Sequence, residues 1–183
     1  MQVMNILLGV TGSIAAYKAA DITSRLSKLG HNVDVMLTES GAKFITPLTL
    51  QTLSKNKVYM DMFEEIVPKE VKHISLAKKA DLVLIAPATA NIIGKLAHGI
   101  ADDFLSTTVM AAYGQTEIWI APAMNTNMYE NPGVQENIEK LTKLGYKFIE
   151  PKASLLACGD LGKGALAEVD VIVETVDNAL KQL

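Results

Sequence analysis

In the segment Asn5-Ile-Leu-Leu-Gly-Val-Thr-Gly-Ser13, a short apolar run passes directly into a glycine turn, and this pattern indicates the fold class of the chain. Apolar residues fill consecutive positions of the run, which is typical of a strand covered by helices on both faces. Behind the turn, five apolar residues recur at helical spacing: Ala15, Ala19, Ile22, Leu26 and Leu29. Gly30 then supplies a helix stop. The chain therefore opens with a predicted strand, turn and helix.

The same alternation continues to the end of the chain. Further strands are predicted at 33–37, 81–86, 117–121 and 146–149, and helical patterns separate them. Strands joined through helices favour parallel pairing with right-handed crossovers. The sequence thus predicts an α/β fold, a three-layer doubly wound (Rossmann-like) parallel sheet. No linker, repeat or low-complexity tract is visible, so residues 1–183 are expected to form a single domain.

Composition excludes several classes of protein. The chain has 183 residues, a net charge of −3 and a single cysteine. This charge offers no basic surface for nucleic acid or anionic lipid. A lone cysteine cannot form an internal disulfide and suits a reducing compartment. The apolar N-terminus lacks the basic residues and cleavage site of a signal peptide, and no apolar run approaches the roughly 18 residues of a membrane span. We expect a cytoplasmic protein without nucleic-acid or membrane partners.

Four predicted strand ends carry hydroxyl or amide side chains and, apart from Glu39, no charge. They are residues 9–13, 37–41, 86–91 and 121–125. Doubly wound sheets bind ligands at the carboxyl ends of their strands, so we expect a ligand at this edge.

The first of these segments could hold a phosphate. Backbone N–H groups at the start of a helix, with the hydroxyls of Thr11 and Ser13, can bind an anion without a lysine. The segment matches neither the dinucleotide fingerprint nor the P-loop pattern. A glycine turn with a capping serine is the alternative, and the residues alone leave both readings open.

Three further residues are candidates for chemistry. His73 precedes the third strand and could act as a base near neutral pH, although a lone histidine there is more often structural. Asn125 could bind a carboxylate without adding charge, or belong to an Asx-rich loop. Cys158 stands in a glycine-rich segment predicted to be a mobile loop, where it could be a nucleophile, a proton donor or an inert apolar residue.

The acidic pair Asp102-Asp103 has two interpretations. It could belong to a metal site or an acid–base dyad, but such a pair more often caps a following helix. We favour the cap, and no metal site is predicted.

Together the motifs resemble the homo-oligomeric flavin-containing cysteine decarboxylases over nearly the whole chain. The matching motifs are residues 9–18, 73–76, 87–95, 99–103, 122–128 and 157–160. The segment Pro122-Ala-Met-Asn125 combined with Ala157-Cys-Gly-Asp160 is the most specific of them.

The resemblance implies a flavoprotein-type fold and FMN as the cofactor. By that resemblance, FMN would be bound by Gly12, Ser13, Ile14, Thr38, Ser40, Phe44, Thr89, Ala90, Asn91, Ile92 and Ala123. It assigns His73 as the base, Asn125 as the ligand of the substrate carboxylate and Cys158 as the proton donor. The implied reaction is the decarboxylation of 4′-phosphopantothenoylcysteine to 4′-phosphopantetheine in coenzyme A biosynthesis.

The resemblance also implies a trimer or a multiple of trimers with a shared site, which suits a cleft walled by short loops. One position departs from the pattern: Ala165 stands where many bifunctional relatives carry an arginine. Because the sequence stops at Leu183, we expect no ligase domain of the kind that those relatives carry. Two alternatives remain: a peptidyl-cysteine decarboxylase, and a non-catalytic regulatory subunit that binds a protein phosphatase.

Overall fold

A computed structural model of the chain describes residues 3–63, 70–155 and 161–183. Its centre is a six-stranded parallel sheet built from β1 (Asn5–Val10), β2 (Asn32–Leu37), β3 (Val58–Tyr59), β4 (Leu82–Ala88), β5 (Glu117–Pro122) and β6 (Lys147–Phe148). The strand order is β3-β2-β1-β4-β5-β6, so the chain changes direction across the sheet beside β1. In register, Leu8 of β1 lies between Val35 of β2 and Leu84 of β4.

Helices cover both faces of this sheet. The helices are α1 (Lys18–Lys28), α2 (Pro47–Ser54), α3 (Lys72–Lys79), α4 (Ala90–His98), α5 (Phe104–Ala112), α6 (Thr126–Tyr129), α7 (Pro132–Lys143) and α8 (Val169–Leu180). Helices α1, α2 and α8 pack on one face with Ile6 and Leu8, and α3, α4, α5 and α7 pack on the other with Leu7. These three strand residues are all at most 1% exposed, and each such buried side chain contributes about 1.5–3 kcal/mol relative to an exposed one. The predicted doubly wound sheet is confirmed.

The acidic pair caps a helix. The Asp103 carboxylate accepts a hydrogen bond from the Ser106 backbone N–H at 2.7 Å, and the Ser106 hydroxyl accepts one from the Asp103 N–H at 3.2 Å. Asp102 instead pairs with Lys95 at 2.7 Å. The described residues contain no group of three or more His, Cys, Asp or Glu side chains suited to a metal ion. The capping interpretation is confirmed.

A small antiparallel hairpin, β7 (Lys152–Leu155) and β8 (Leu161–Ala165), stands outside the main sheet. The prediction that residues 156–168 form a glycine-rich loop is therefore wrong for 161–165. Gly162 pairs with Ser154 of β7, and Gly164, at a shift in the register, allows a close backbone approach to Met124 in the loop after β5, which a larger residue would prevent.

No helix in the described part of the chain has both the length and the apolar character needed to span a bilayer.

Candidate functional site

A cleft of about 600 Å³ opens at the carboxyl ends of β1, β4 and β5. Its walls come from the turn after β1, the loop after β5 and the hairpin. The lining residues are Gly12, Ser13, Ile14, Ala15, Tyr17, Lys18, Thr89, Ala123, Met124, Asn125, Met128, Lys152, Ser154, Gly164, Ala165 and Leu166. Six of these were predicted site residues: Gly12, Ser13, Ile14, Thr89, Ala123 and Asn125.

The turn after β1 is tied to the end of β4. The Thr11 hydroxyl donates to the Pro87 carbonyl at 2.6 Å and accepts from the Thr89 backbone N–H at 3.1 Å. Ser13 caps the short 3₁₀ turn that follows, accepting from the Ala15 N–H at 3.2 Å. Because Thr11 is buried, these bonds fix the turn and the β4 end relative to each other.

Close packing brings the loop after β2 against the same turn. A Cβ placed on Gly12 would lie 2.5 Å from the Ser40 Cβ, so only glycine fits there without displacement. The Thr38 hydroxyl accepts from the Gly41 N–H at 3.0 Å and shapes this loop. Thr38 lines a second cleft of about 360 Å³, and Phe44 is 47% exposed. Of these predicted flavin ligands, Ser40 contacts the turn, whereas none of the three lines the main cleft.

The segment after β4 contributes one side chain to the cleft. Thr89 caps α4, and its hydroxyl accepts from the Ile92 N–H at 3.4 Å. Ile92 is buried in the core, and Asn91 is exposed. Neither lines the main cleft, and Ala90 does not either.

Asn125 is oriented by its own helix. Its side-chain oxygen accepts from the Asn127 N–H at 2.8 Å as the N-cap of α6. The preceding residue ties this loop to the hairpin, because the Met124 N–H donates to the Gly164 carbonyl at 2.9 Å. A Cβ on Gly164 would lie 2.4 Å from the Met124 carbonyl oxygen. The hairpin therefore lies directly on the loop that carries Asn125.

Two lysines line the cleft, Lys18 at the start of α1 and Lys152 at the start of β7. Lys152 forms an ion pair with Glu168, which does not line the cleft. The hydrogen bond from Lys152 holds the pKa of the Glu168 carboxyl below its ordinary value, with a smaller lowering from the charge of Lys18. Sequence reasoning assigned neither lysine a role: Lys18 ends the first matching motif, Lys152 lies outside the motifs, and only the tertiary fold places both at one cleft.

The two predicted proton-transfer residues stand apart from this arrangement. His73 is half-buried in the first turn of α3, on the helix layer opposite α1, and does not line the cleft. Cys158 lies outside the described residues. The strands that flank it in sequence do line the cleft, through Ser154 and Gly164.

Known proteins resemble this chain along nearly its whole length. A probable phosphopantothenoylcysteine decarboxylase of Streptococcus mutans is 53% identical over 175 residues, which are 96% of this chain and 98% of that protein. The coenzyme A biosynthesis bifunctional protein of Bacillus subtilis is 53% identical over 173 residues, 94% of this chain. The chain spans only 42% of that longer protein.

Solved structures share the fold. A cysteine-to-serine mutant of PPC decarboxylase, complexed with pantothenoylaminoethenethiol, matches with a TM-score of 0.89 at 32% identity, covering 98% of this chain and 100% of that one. The FMN binding protein AtHal3 matches with a TM-score of 0.85 at 32% identity, covering 100% of this chain and 99% of that one.

The model of the flavoprotein family matches residues 1–181. Together with the relatives and structures above, this match confirms the predicted flavoprotein-type fold. The chain belongs to the flavoprotein family.

Proposed function

We propose that the chain binds FMN and decarboxylates 4′-phosphopantothenoylcysteine to 4′-phosphopantetheine, a step in coenzyme A biosynthesis. The observation that carries this proposal is the cleft in which the turn after β1, Thr89 and Asn125 meet. Its residues suit a phosphate at one wall and a carboxylate at another. The 53% identity with the Streptococcus mutans protein over nearly the full length of both chains favours the same activity.

The residues of the cleft fit FMN. The turn from Gly12 to Ile14 lines the cleft and has no charged side chain, so its backbone N–H groups and the Ser13 hydroxyl are the groups that would hold a phosphate there. The sequence lacks the pyrophosphate fingerprint expected for FAD. Ala123 is small and 3% exposed, which suits contact with a flat ring. When bound, FMN would supply the oxidation of the substrate thiol that makes CO₂ loss possible, and would return the electrons afterwards.

Asn125 would bind the substrate carboxylate. An amide N–H donates to a carboxylate without bringing a charge of its own. The bond from the Asn127 N–H to the Asn125 side-chain oxygen orients the amide at 2.8 Å. A side chain held in one orientation loses less conformational entropy when the substrate binds.

His73 would accept the proton that the substrate releases when its thiol is oxidised. Its position on α3, away from the cleft of its own chain, favours a site completed by a second subunit. Since α3 leads into β4, its first turn lies toward the carboxyl edge of the sheet, where a neighbouring cleft could meet it. We therefore propose a homo-oligomer, a trimer or a multiple of trimers, with shared sites.

Cys158 would protonate the decarboxylated product. Its flanking strands β7 and β8 line the cleft, which supports a role close to the substrate. Ala165 lines the same cleft, and we interpret the absence of an arginine there as a difference of subtype within the family and not as a lost activity.

Turnover of the defined substrate tests the proposal. FMN-loaded protein should release CO₂ from 4′-phosphopantothenoylcysteine and yield 4′-phosphopantetheine by mass analysis. His73→Asn should bind FMN and release no CO₂. His98→Asn, on an exposed part of α4, is the matched control and should keep full activity. A peptide that ends in cysteine tests the alternative of a peptidyl-cysteine decarboxylase. If the protein releases CO₂ faster from that peptide than from 4′-phosphopantothenoylcysteine, the proposed substrate is wrong.

A further inference from the structure

The rim of the main cleft carries a local positive charge in an acidic protein. The net charge of the chain is −3, yet the charged side chains that line the cleft in its described part are Lys18 and Lys152. No described carboxylate lines this cleft. A rim with this charge attracts an anion.

Glu168 brings the two lysines into one group. It pairs directly with Lys152, and the charge of Lys18 acts on the same carboxylate. Among the described residues Lys18 forms no ion pair. Two lysines and one carboxylate leave one positive charge at the rim. Because a lysine ammonium has three donors, Lys152 can bond Glu168 and still donate to a ligand.

The proposed substrate carries two anionic groups separated by the pantothenoyl chain. Asn125 suits the carboxylate and is neutral, so the phosphate needs a separate partner. Under the proposed function the phosphate of FMN binds at the turn after β1, which leaves the lysines for another anion. We propose that Lys152, assisted by Lys18, binds the phosphate of the substrate at the rim of the cleft. This inference rests on the proposed function and names how that site selects a phosphorylated substrate.

Comparison of phosphorylated and unphosphorylated ligands tests the proposal in FMN-loaded protein. Lys152→Gln should raise KM for 4′-phosphopantothenoylcysteine about tenfold, the size expected for one charge-assisted hydrogen bond. KM for pantothenoylcysteine and the Kd for FMN should stay unchanged. Lys152→Arg should retain the preference for the phosphorylated substrate. Lys163→Gln, which removes the same charge from the same hairpin outside the cleft, should behave like the wild type.

Two further variants separate phosphate binding from a structural role of the ion pair. If Lys152 only stabilises the hairpin through Glu168, then Glu168→Gln should harm the protein as much as Lys152→Gln. We expect instead that Glu168→Gln keeps or lowers KM for the phosphorylated substrate, since it frees a donor. Ala165 is the cross-strand partner of Lys152 and lines the same cleft. Ala165→Arg should therefore restore the phosphate preference of Lys152→Gln.

Binding of the products makes the test independent of turnover. Calorimetry with 4′-phosphopantetheine and pantetheine should show tighter binding of the phosphorylated compound, and Lys152→Gln should abolish the difference. If the wild type releases no CO₂, the proposed reaction fails, while this binding difference still decides the inference. Equal loss of affinity for both compounds would overturn it. A raised Kd for FMN with unchanged product binding would assign the lysines to the cofactor phosphate and overturn it as well.

Discussion

Replacement of Gly12 by alanine should damage the cleft without touching the core. The added Cβ would lie 2.5 Å from the Ser40 Cβ and 3.1 Å from the Ser40 carbonyl carbon, whereas ordinary contact begins at 3.4 Å. The turn and the loop after β2 must therefore separate by about 0.9 Å at their closest atoms. Neither partner atom is the end of a flexible side chain, so backbone has to move. Overpacking of this kind costs about 1–3 kcal/mol of unfolding free energy.

The same displacement should weaken FMN binding. Phosphate is held by N–H donors within about 3.2 Å, so a shift near an ångström breaks one or two of these bonds. Each charge-assisted hydrogen bond contributes about 1.5–3 kcal/mol, so the loss of one bond predicts a rise in the FMN Kd of roughly tenfold to about 150-fold, and the loss of two bonds a larger rise. Fluorescence titration with FMN measures the affinity, and urea denaturation of the FMN-free protein measures stability separately.

Gly94→Ala is the matched control. A Cβ there would meet only the Asn137 side-chain nitrogen at 3.7 Å, an ordinary contact within α4. Alanine in a helix interior should raise stability by about 0.5–1 kcal/mol and leave FMN binding unchanged. The reasoning is refuted if Gly12→Ala binds FMN like the wild type, or if both variants lose affinity equally.

Four further predictions concern other parts of the chain. The Cys158→Ser variant should release CO₂ and then stop at an oxidised, decarboxylated product, which mass analysis would detect. If the variant stops before CO₂ is lost, Cys158 has a different role. Asn125→Asp should raise KM for the substrate by about tenfold or more with FMN binding intact, because two carboxylates repel, and an unchanged KM would contradict that contact. Asp103→Ala should lower unfolding free energy by about 1 kcal/mol by removing a helix cap, with Asp103→Ser as the control that keeps a capping oxygen. A hydrogen bond from Lys181 lowers the pKa of Asp177 below 3.8 in the folded chain. The ionised carboxylate therefore stabilises the folded chain above about pH 4, and this contribution is lost as the pH falls through the pKa of the folded state. The Asp177→Asn variant should therefore be less stable than the wild type near neutral pH and should lose less stability as the pH falls. If the urea midpoints of the variant and the wild type change in parallel from pH 6 to about pH 2, the ion pair does not contribute.

Strong local signals made most of the sheet predictable. The continuous apolar run at Asn5–Val10 places side chains in both cores, and Ile6 and Leu7 are each 1% exposed on opposite faces. Asp103 carries its capping signal within four residues of chain, so its role could be read from the sequence alone. Both features depend on neighbouring residues, which is why the sequence pattern sufficed.

The hairpin could not be predicted from the sequence, because contacts between residues distant in the chain stabilise it. Strand β8 is rich in glycine, a residue depleted in strands, and it forms through pairing with Lys152–Leu155 and close contact with Met124. The meeting of Lys18 and Lys152 has the same origin, since 134 positions of chain separate them. For Thr38 and Ile92, the resemblance suggested flavin contacts that a single chain does not bring to the main cleft.

The separation of the hairpin from the main sheet bears on how this family can diversify. Within the described part of the chain, strands β7 and β8 form a separate two-stranded sheet, and the hydrogen bond from the Met124 N–H to the Gly164 carbonyl attaches them to the loop after β5. Substitutions in the hairpin therefore leave the register of the six parallel strands undisturbed. Selection can alter which molecules enter the cleft while the scaffold stays constant, provided that Gly164 is retained for its close approach. The hairpin is in this sense an exchangeable module, and transplanting it between relatives should carry substrate preference with it.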